Sequence, residues 1–231
     1  EGVKSSISKF VSENKFKELI DAIGAKTGDA VLLAAGPWLK LSWAMGALRL
    51  DVARRLNLID NNQAAWCWIV DYPMYEAVEE GTLAAKQGKT VDFGHNPFSM
   101  PQGGLEALTS KDPLDILAYQ YDLVLNGFEI SSGAVRNQNP ELMYKAFAIA
   151  GYSKEDVDKK FGAMIQAFNY GAPPHAGNAP GLDRLIMVLN DWDSIRDMYA
   201  FPKDGQGRDV LMDSPSEVSP EQLREIGIKM E

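Results

Sequence analysis

Tyr121-Asp122-Leu123-Val124-Leu125-Asn126-Gly127-Phe128-Glu129-Ile130 reads as two short strands around a two-residue turn. Asn-Gly between two β-forming runs selects a type I′ turn, because both central residues must take positive φ. That register sets Leu125 opposite Phe128, Val124 opposite Glu129, Leu123 opposite Ile130 and Asp122 opposite Ser131. Side chains alternate, so Asp122, Val124, Glu129 and Ser131 fall on one face. Asp122 and Glu129 become diagonal neighbours roughly 6–8 Å apart. Two carboxylates at that spacing suit a hard divalent cation carrying phosphates. The plain alternative is a pair of solvated charges on an edge hairpin.

Working outward, Arg136 follows the hairpin closely. Its guanidinium can hold a carboxylate through two parallel hydrogen bonds, with a surface salt bridge as the alternative. Helices are predicted over Pro140–Ala150, with Pro in the first turn, and over Lys154–Tyr170. Gly171 to Gly181 is a glycine- and proline-rich strand or loop. It leads into an apolar helix, Leu182–Asn190, whose first turn carries Asp183 and Arg184. A helix start favours anions, although an exposed Arg at a helix start is the blander reading. The tail is loop, with a last helix around Pro220–Ile226. Upstream, a buried strand is expected over Ala64–Val70, an exposed loop over residues 77–91, an irregular segment over Gly94–Gly104 and a helix over Pro113–Tyr119. Residues 1–62 read as a small α/β unit. It has a helix capped by Ser12 and ended by Gly24, a strand Ala30–Ala35, a helix Ala44–Leu58 and a linker at Asp60-Asn61-Asn62.

The 231 residues are 45% hydrophobic, enough to bury a core in one large or two smaller domains. A formal net charge of −9 repels phosphates at long range, which argues against general nucleic-acid binding but leaves room for a local basic groove. No apolar run reaches the ~20 residues of a membrane span, and the N-terminus has no secretory pattern. Two histidines and one cysteine argue against a zinc site. Cys67, in an apolar run, is expected to be a buried small hydrophobe in a reducing compartment. His95 and His175 read first as packing residues.

Four segments, in order, resemble the bacterial aspartyl-tRNA synthetases. They are Trp68-Ile69-Val70-Asp71-Tyr72-Pro73-Met74-Tyr75-Glu76, His95-Asn96-Pro97-Phe98-Ser99-Met100-Pro101, Asn126-Gly127-Phe128-Glu129 through Arg136, and Gly171 through Arg184. Ser194-Ile195-Arg196-Asp197, Ala200-Phe201-Pro202-Lys203 and Met45-Gly46-Ala47-Leu48-Arg49-Leu50 are similar too. The resemblance implies an α+β fold, the class II antiparallel sheet flanked by helices. It also implies residues 63–231 as the C-terminal part of the catalytic domain, with residues 1–62 as the end of a bacterial insertion domain. It implies ATP and Mg²⁺ as cofactors. Asp122 and Glu129 would hold the metal, and Gly181, Leu182, Asp183 and Arg184 would form the ATP-binding motif 3. Glu129 and Arg184 would be catalytic, and His95 and Arg136 would bind L-aspartate. The implied partners are tRNA(Asp), alone or together with tRNA(Asn), and a second copy of the complete enzyme, in the cytoplasm and without a membrane.

The sequence departs from the family pattern at Asn96, where a second His is common, and at Ser99, where Thr is common. It also departs at Ser131-Ser132-Gly133-Ala134, Asn137-Gln138 and Pro180. The family's anticodon-binding barrel, its motifs 1 and 2 and the first part of the insertion domain have no counterpart in these 231 residues, so the chain alone is expected to be inactive. An ammonia-dependent aspartate amide ligase and a truncated paralogue serving as a binding or regulatory module are the other readings.

Overall fold

The computed structural model describes residues 3–60 and 62–229. Its contacts divide the chain after Gln63 into two units, each described by itself.

The first unit holds two helices. α1 (Glu13–Ile23) starts where the Ser12 hydroxyl accepts the Lys15 N–H and ends at Gly24, whose φ of 66° is the left-handed cap. α2 (Trp38–Arg55) begins six residues before the predicted start. The predicted strand Ala30–Ala35 does not form. Val31, Leu32 and Leu33 stay 41–55% exposed. A strand needs a neighbour for its N–H and C=O groups, and no strand forms among the described residues of this unit. Asn61 lies outside the described residues, so the expected linker is seen only at its flanks.

The second unit is a four-stranded antiparallel sheet with helices. In chain order it contains β1 (Trp66–Pro73), β2 (Tyr75–Ala77), α3 (Leu83–Lys86), β3 (Val91–Phe93), α4 (Gly104–Ser110), β4 (Leu117–Leu125), β5 (Phe128–Val135), α5 (Pro140–Ile149), α6 (Lys154–Phe168), β6 (Ala176–Pro180), α7 (Leu182–Leu189) and α8 (Pro220–Glu225). The sheet order is β1-β4-β5-β6, and β2 pairs with β3 separately. Three expectations are corrected. The loop predicted over 77–91 contains the end of β2, α3 and the start of β3. The helix predicted over Pro113–Tyr119 is only a 3₁₀ turn, Pro113–Asp115, because the alternating run that follows joins β4. β1 was expected to be buried, yet Trp66, Trp68, Ile69 and Val70 are 44–56% exposed and Cys67 is exposed. β1 is an edge strand that pairs only with β4, so periodicity measured its apolarity and not its cover.

The core gathers where α4 and α5 meet the start of β4. Met74, Tyr75, Leu108, Ile116, Ala118, Ala146 and Ala150 form one cluster, and Met143, Phe147, Val157 and Ile165 a second. Phe147 meets Phe93 at 4.9 Å, edge to face, and Phe161 at 5.6 Å. Such pairs add about 0.5–1.5 kcal/mol each beyond area burial. The starts of α5 and α6 are set by local chemistry. Asn139 caps α5 ahead of Pro140, and Ser153 with Asp156 forms a capping box on α6.

Candidate functional site

The turn is as the sequence demands, with Asn126 at φ 50° and Gly127 at φ 86°. Beyond it the register departs from the prediction. Leu125 faces Phe128 and Val124 faces Glu129, but Leu123 faces Ser131 and Asp122 faces Ser132. Ile130 is the extra residue of a β-bulge, and it is 4% exposed. The bulge lets β5 bury Ile130 and still reach β6, where Ser131 meets Pro180. Pro180 has no N–H, so the Gly181 N–H donates to the Ile130 carbonyl at 2.7 Å. Ser131 therefore leaves the Asp122 pair, and its hydroxyl lies 2.6 Å from the Asn178 side-chain oxygen. Asp122 and Val124 still alternate onto one face of β4, and Val124 opposes Glu129.

Asp122 is 8% exposed. One of its oxygens accepts the Tyr72 hydroxyl; the other, Oδ1, is buried with no partner among the described residues. Burial pushes the Tyr72 hydroxyl well above its ordinary pKa, and the hydrogen bond to Asp122 and the charges of Asp122 and Glu129 add to the shift. The Tyr72 ring meets the His95 ring perpendicularly at 5.1 Å.

Glu129 makes a different contact. Arg184, in the first turn of α7, lies 3.2 Å from the Glu129 carboxylate and donates to the Glu129 carbonyl at 2.9 Å. Both side chains are 46% exposed, so solvent screens the pair and its contribution to stability is small. Gly181 gives the helix start no side-chain cap, which leaves first-turn N–H groups facing outward. Asp183 instead accepts the Tyr199 hydroxyl at 2.8 Å, and Leu182 is 66% exposed.

Arg136 follows β5 and makes no salt bridge among the described residues. It lines a cavity of about 330 Å³ together with Asn96, Gln120, Ser132, Gly177 and Asn178. The other lining groups are uncharged, so Arg136 is the only charged side chain in that wall. Gln120 is 6% exposed, and its side-chain carbonyl accepts the Ser99 hydroxyl at 3.5 Å. Gly133 is required here: an added Cβ would lie 2.3 Å from the Gly177 carbonyl and 2.4 Å from the Tyr121 ring. His175 does not line that cavity, but its carbonyl accepts the Arg136 N–H at 2.9 Å and it shares a second cavity of about 240 Å³ with Arg136; its Nδ1 lies 2.9 Å from the Pro173 carbonyl.

The structure thus joins Asp122 to His95 through Tyr72, and Glu129 to Arg184. Tyr72 and Gln120 are absent from the sequence-derived set. Tyr72 lies 50 residues from Asp122 along the chain, and no local pattern links them. For Gln120 the signal was available, as a polar residue inside an otherwise β-forming apolar run.

Comparison with known proteins adds an independent result. The family model for class II tRNA synthetases of the D, K and N group matches residues 4–205. The chain belongs to this family. An aspartate–tRNA(Asp/Asn) ligase of Pelodictyon phaeoclathratiforme is 53% identical over all 231 residues, as is one of Chlorobium phaeovibrioides. The chain spans 37% of the length of each of these curated relatives. Among solved structures, an aspartyl-tRNA synthetase of Entamoeba histolytica has a TM-score of 0.46 at 22% identity, over 85% of this chain and 32% of its own. An asparaginyl-tRNA synthetase of Pyrococcus horikoshii has 0.42 at 19% identity, over 82% and 35%. The antiparallel sheet flanked by helices is the α+β architecture expected from the class II resemblance.

Proposed function

We propose that this chain carries the amino-acid-selecting wall and part of the nucleotide-binding wall of an aspartate–tRNA ligase. The reaction joins aspartate to AMP from ATP and then passes the aspartyl group to the tRNA 3′ end. The observation that carries the reading is Arg136, a guanidinium with no salt-bridge partner among the described residues, in a cavity of otherwise uncharged groups. Such a group selects a ligand that brings its own carboxylate, and the planar fork fixes the carboxylate's orientation. The names of the relatives favour aspartate, and they favour tRNA(Asp) and tRNA(Asn) together.

On the nucleotide side, Arg184 and the uncapped start of α7 offer positive potential to phosphates. When phosphates arrive, Arg184 exchanges its exposed pairing with Glu129 for them, and Glu129 is freed. The residues present fit a divalent cation, because the buried Asp122 Oδ1 lacks any partner among the described residues and Glu129 shares its face. Asp122 and Glu129 would hold Mg²⁺, whose chemistry there is to neutralise charge on the ATP phosphates. Among the described residues no cluster of three or more metal-binding side chains occurs. His95 would contact the aspartate, with Gly181, Leu182 and Asp183 shaping the phosphate end. Residues 1–62 would be the end of an insertion domain and 63–231 the end of the catalytic domain. The complete protein would work as a cytoplasmic homodimer. No helix among the described residues is long and apolar enough to cross a membrane.

Aspartate-dependent ATP–pyrophosphate exchange by the complete protein tests the reading. Arg136→Lys is expected to lower kcat/KM for aspartate about 10²-fold while the ATP KM changes little, since a point charge replaces a bidentate fork. Exchange that does not depend on aspartate, or equal losses for both substrates, would overturn it.

A further inference from the structure

Val70 faces Tyr121, whose side chain alternates to the face of β4 opposite Asp122. By simple alternation Tyr72, two residues on, would also point away from Asp122. It does not, because the β1–β4 register slips by one residue between Val70 and Tyr72. Asp71, at the slip, has φ 60°, a left-handed conformation that residues other than glycine enter only at an energetic cost. The Asp71 carboxylate accepts the Gln102 side-chain amide at 2.6 Å, which ties down the irregular step. The product of this local strain is the contact already described, with the Tyr72 hydroxyl on Asp122 and its ring against His95.

We infer that Tyr72 is a positioning residue that sets Asp122 and His95 as one unit, its hydroxyl leaving the Asp122 Oδ1 oxygen for a cation while its ring holds the His95 ring. The inference rests on the proposed readings of Asp122 as a cation ligand and of His95 as an aspartate contact. Two separable contacts follow. The hydroxyl acts through Asp122, and the ring acts through His95. Tyr72→Phe removes the first and keeps the second, whereas Tyr72→Ala removes both.

The test uses the complete protein and Mn²⁺ as the probe, with binding read by electron paramagnetic resonance in the presence of ATP. Aspartate KM is read separately by pyrophosphate exchange. Tyr72→Phe is expected to weaken Mn²⁺ binding about tenfold, the order of one hydrogen bond to a charged group, with an unchanged aspartate KM. Tyr72→Ala is expected to weaken Mn²⁺ binding equally and to raise the aspartate KM about tenfold as well. Added to Asp122→Asn, Tyr72→Phe should change Mn²⁺ binding no further, because its effect runs through the carboxylate. That double variant carries no buried charge at Asp122, so its comparison with Asp122→Asn still decides the matter if Tyr72→Phe alone does not fold. Wild-type Mn²⁺ affinity in Tyr72→Phe, or a further loss in the double variant, overturns the inference. Mn²⁺ binding that survives Asp122→Asn unchanged would instead sink the cation reading of Asp122 on which the inference stands.

Discussion

Residues 3–60 are at least as apolar in sequence as residues 64–229, yet the two regions differ in what they bury. In the first region Phe16 is the one buried apolar side chain among the described residues. Val31, Leu32, Leu33, Trp38 and Trp43 lie open, and a hollow of about 850 Å³ lined by Phe16, Leu19, Ile20 and Val31 lies beside α1. In the second region two clusters of fully buried side chains seat a four-stranded sheet. Each region has helices with side-chain caps, α1 in the first and α5 and α6 in the second, but among the described residues only the second has paired strands. Helix hydrogen bonds close within four residues, so Ser12 and Gly24 can define α1 without help. A strand such as the one expected at Ala30–Ala35 closes none of its hydrogen bonds until a neighbour arrives.

The comparison can be broken most directly in the aromatic cluster. Phe147→Ala should cost about 3–5 kcal/mol, because α5, α6 and β3 cannot all collapse onto the hole. Phe16→Ala should cost no more than about 2 kcal/mol, since its surroundings are open and can close in. Urea unfolding, followed region by region through amide exchange, would show both values. Equal costs would mean that residues 3–60 are packed as firmly as the sheet.

Glycine gives a sharper version with a change of sign. Gly133→Ala should destabilise by about 1–3 kcal/mol, as the new methyl meets the Gly177 carbonyl and forces β5 and β6 apart. Gly46→Ala, in the middle of α2 with nothing within 4 Å, should stabilise that helix by about 0.5–1 kcal/mol. Thermal melts of the two variants check the signs. A destabilising Gly46→Ala would show that α2 lies against something close.

The smallest effects should not distinguish the regions at all. Ser12→Ala on α1 and Ser153→Ala on α6 each remove a hydroxyl cap and should cost about 1 kcal/mol, read as faster amide exchange in the first helical turn. A much larger loss at Ser153 would mean that the cap is coupled to the core and is not purely local.

The sequence by itself determined the features whose physics is local. The Asn126-Gly127 turn follows from positive φ, and the ends of α1, α5 and α6 follow from caps within a few residues. Sharing of one face by Asp122 and Glu129 follows from the two-residue period and the turn type. Arg136 could be named as a carboxylate-binding candidate because guanidinium chemistry does not depend on the fold. Tertiary structure alone decided what depends on distant neighbours. It placed Ile130 in a bulge and so shifted Ser131 away from Asp122. It exposed Cys67 by leaving β1 at an edge, and left Ala30–Ala35 without pairing. It turned Tyr72 round at Asp71 onto a carboxylate 50 residues away. These depend on which backbone groups find partners across the sheet, and a one-residue slip in pairing moves side chains from one face to the other without altering any local preference.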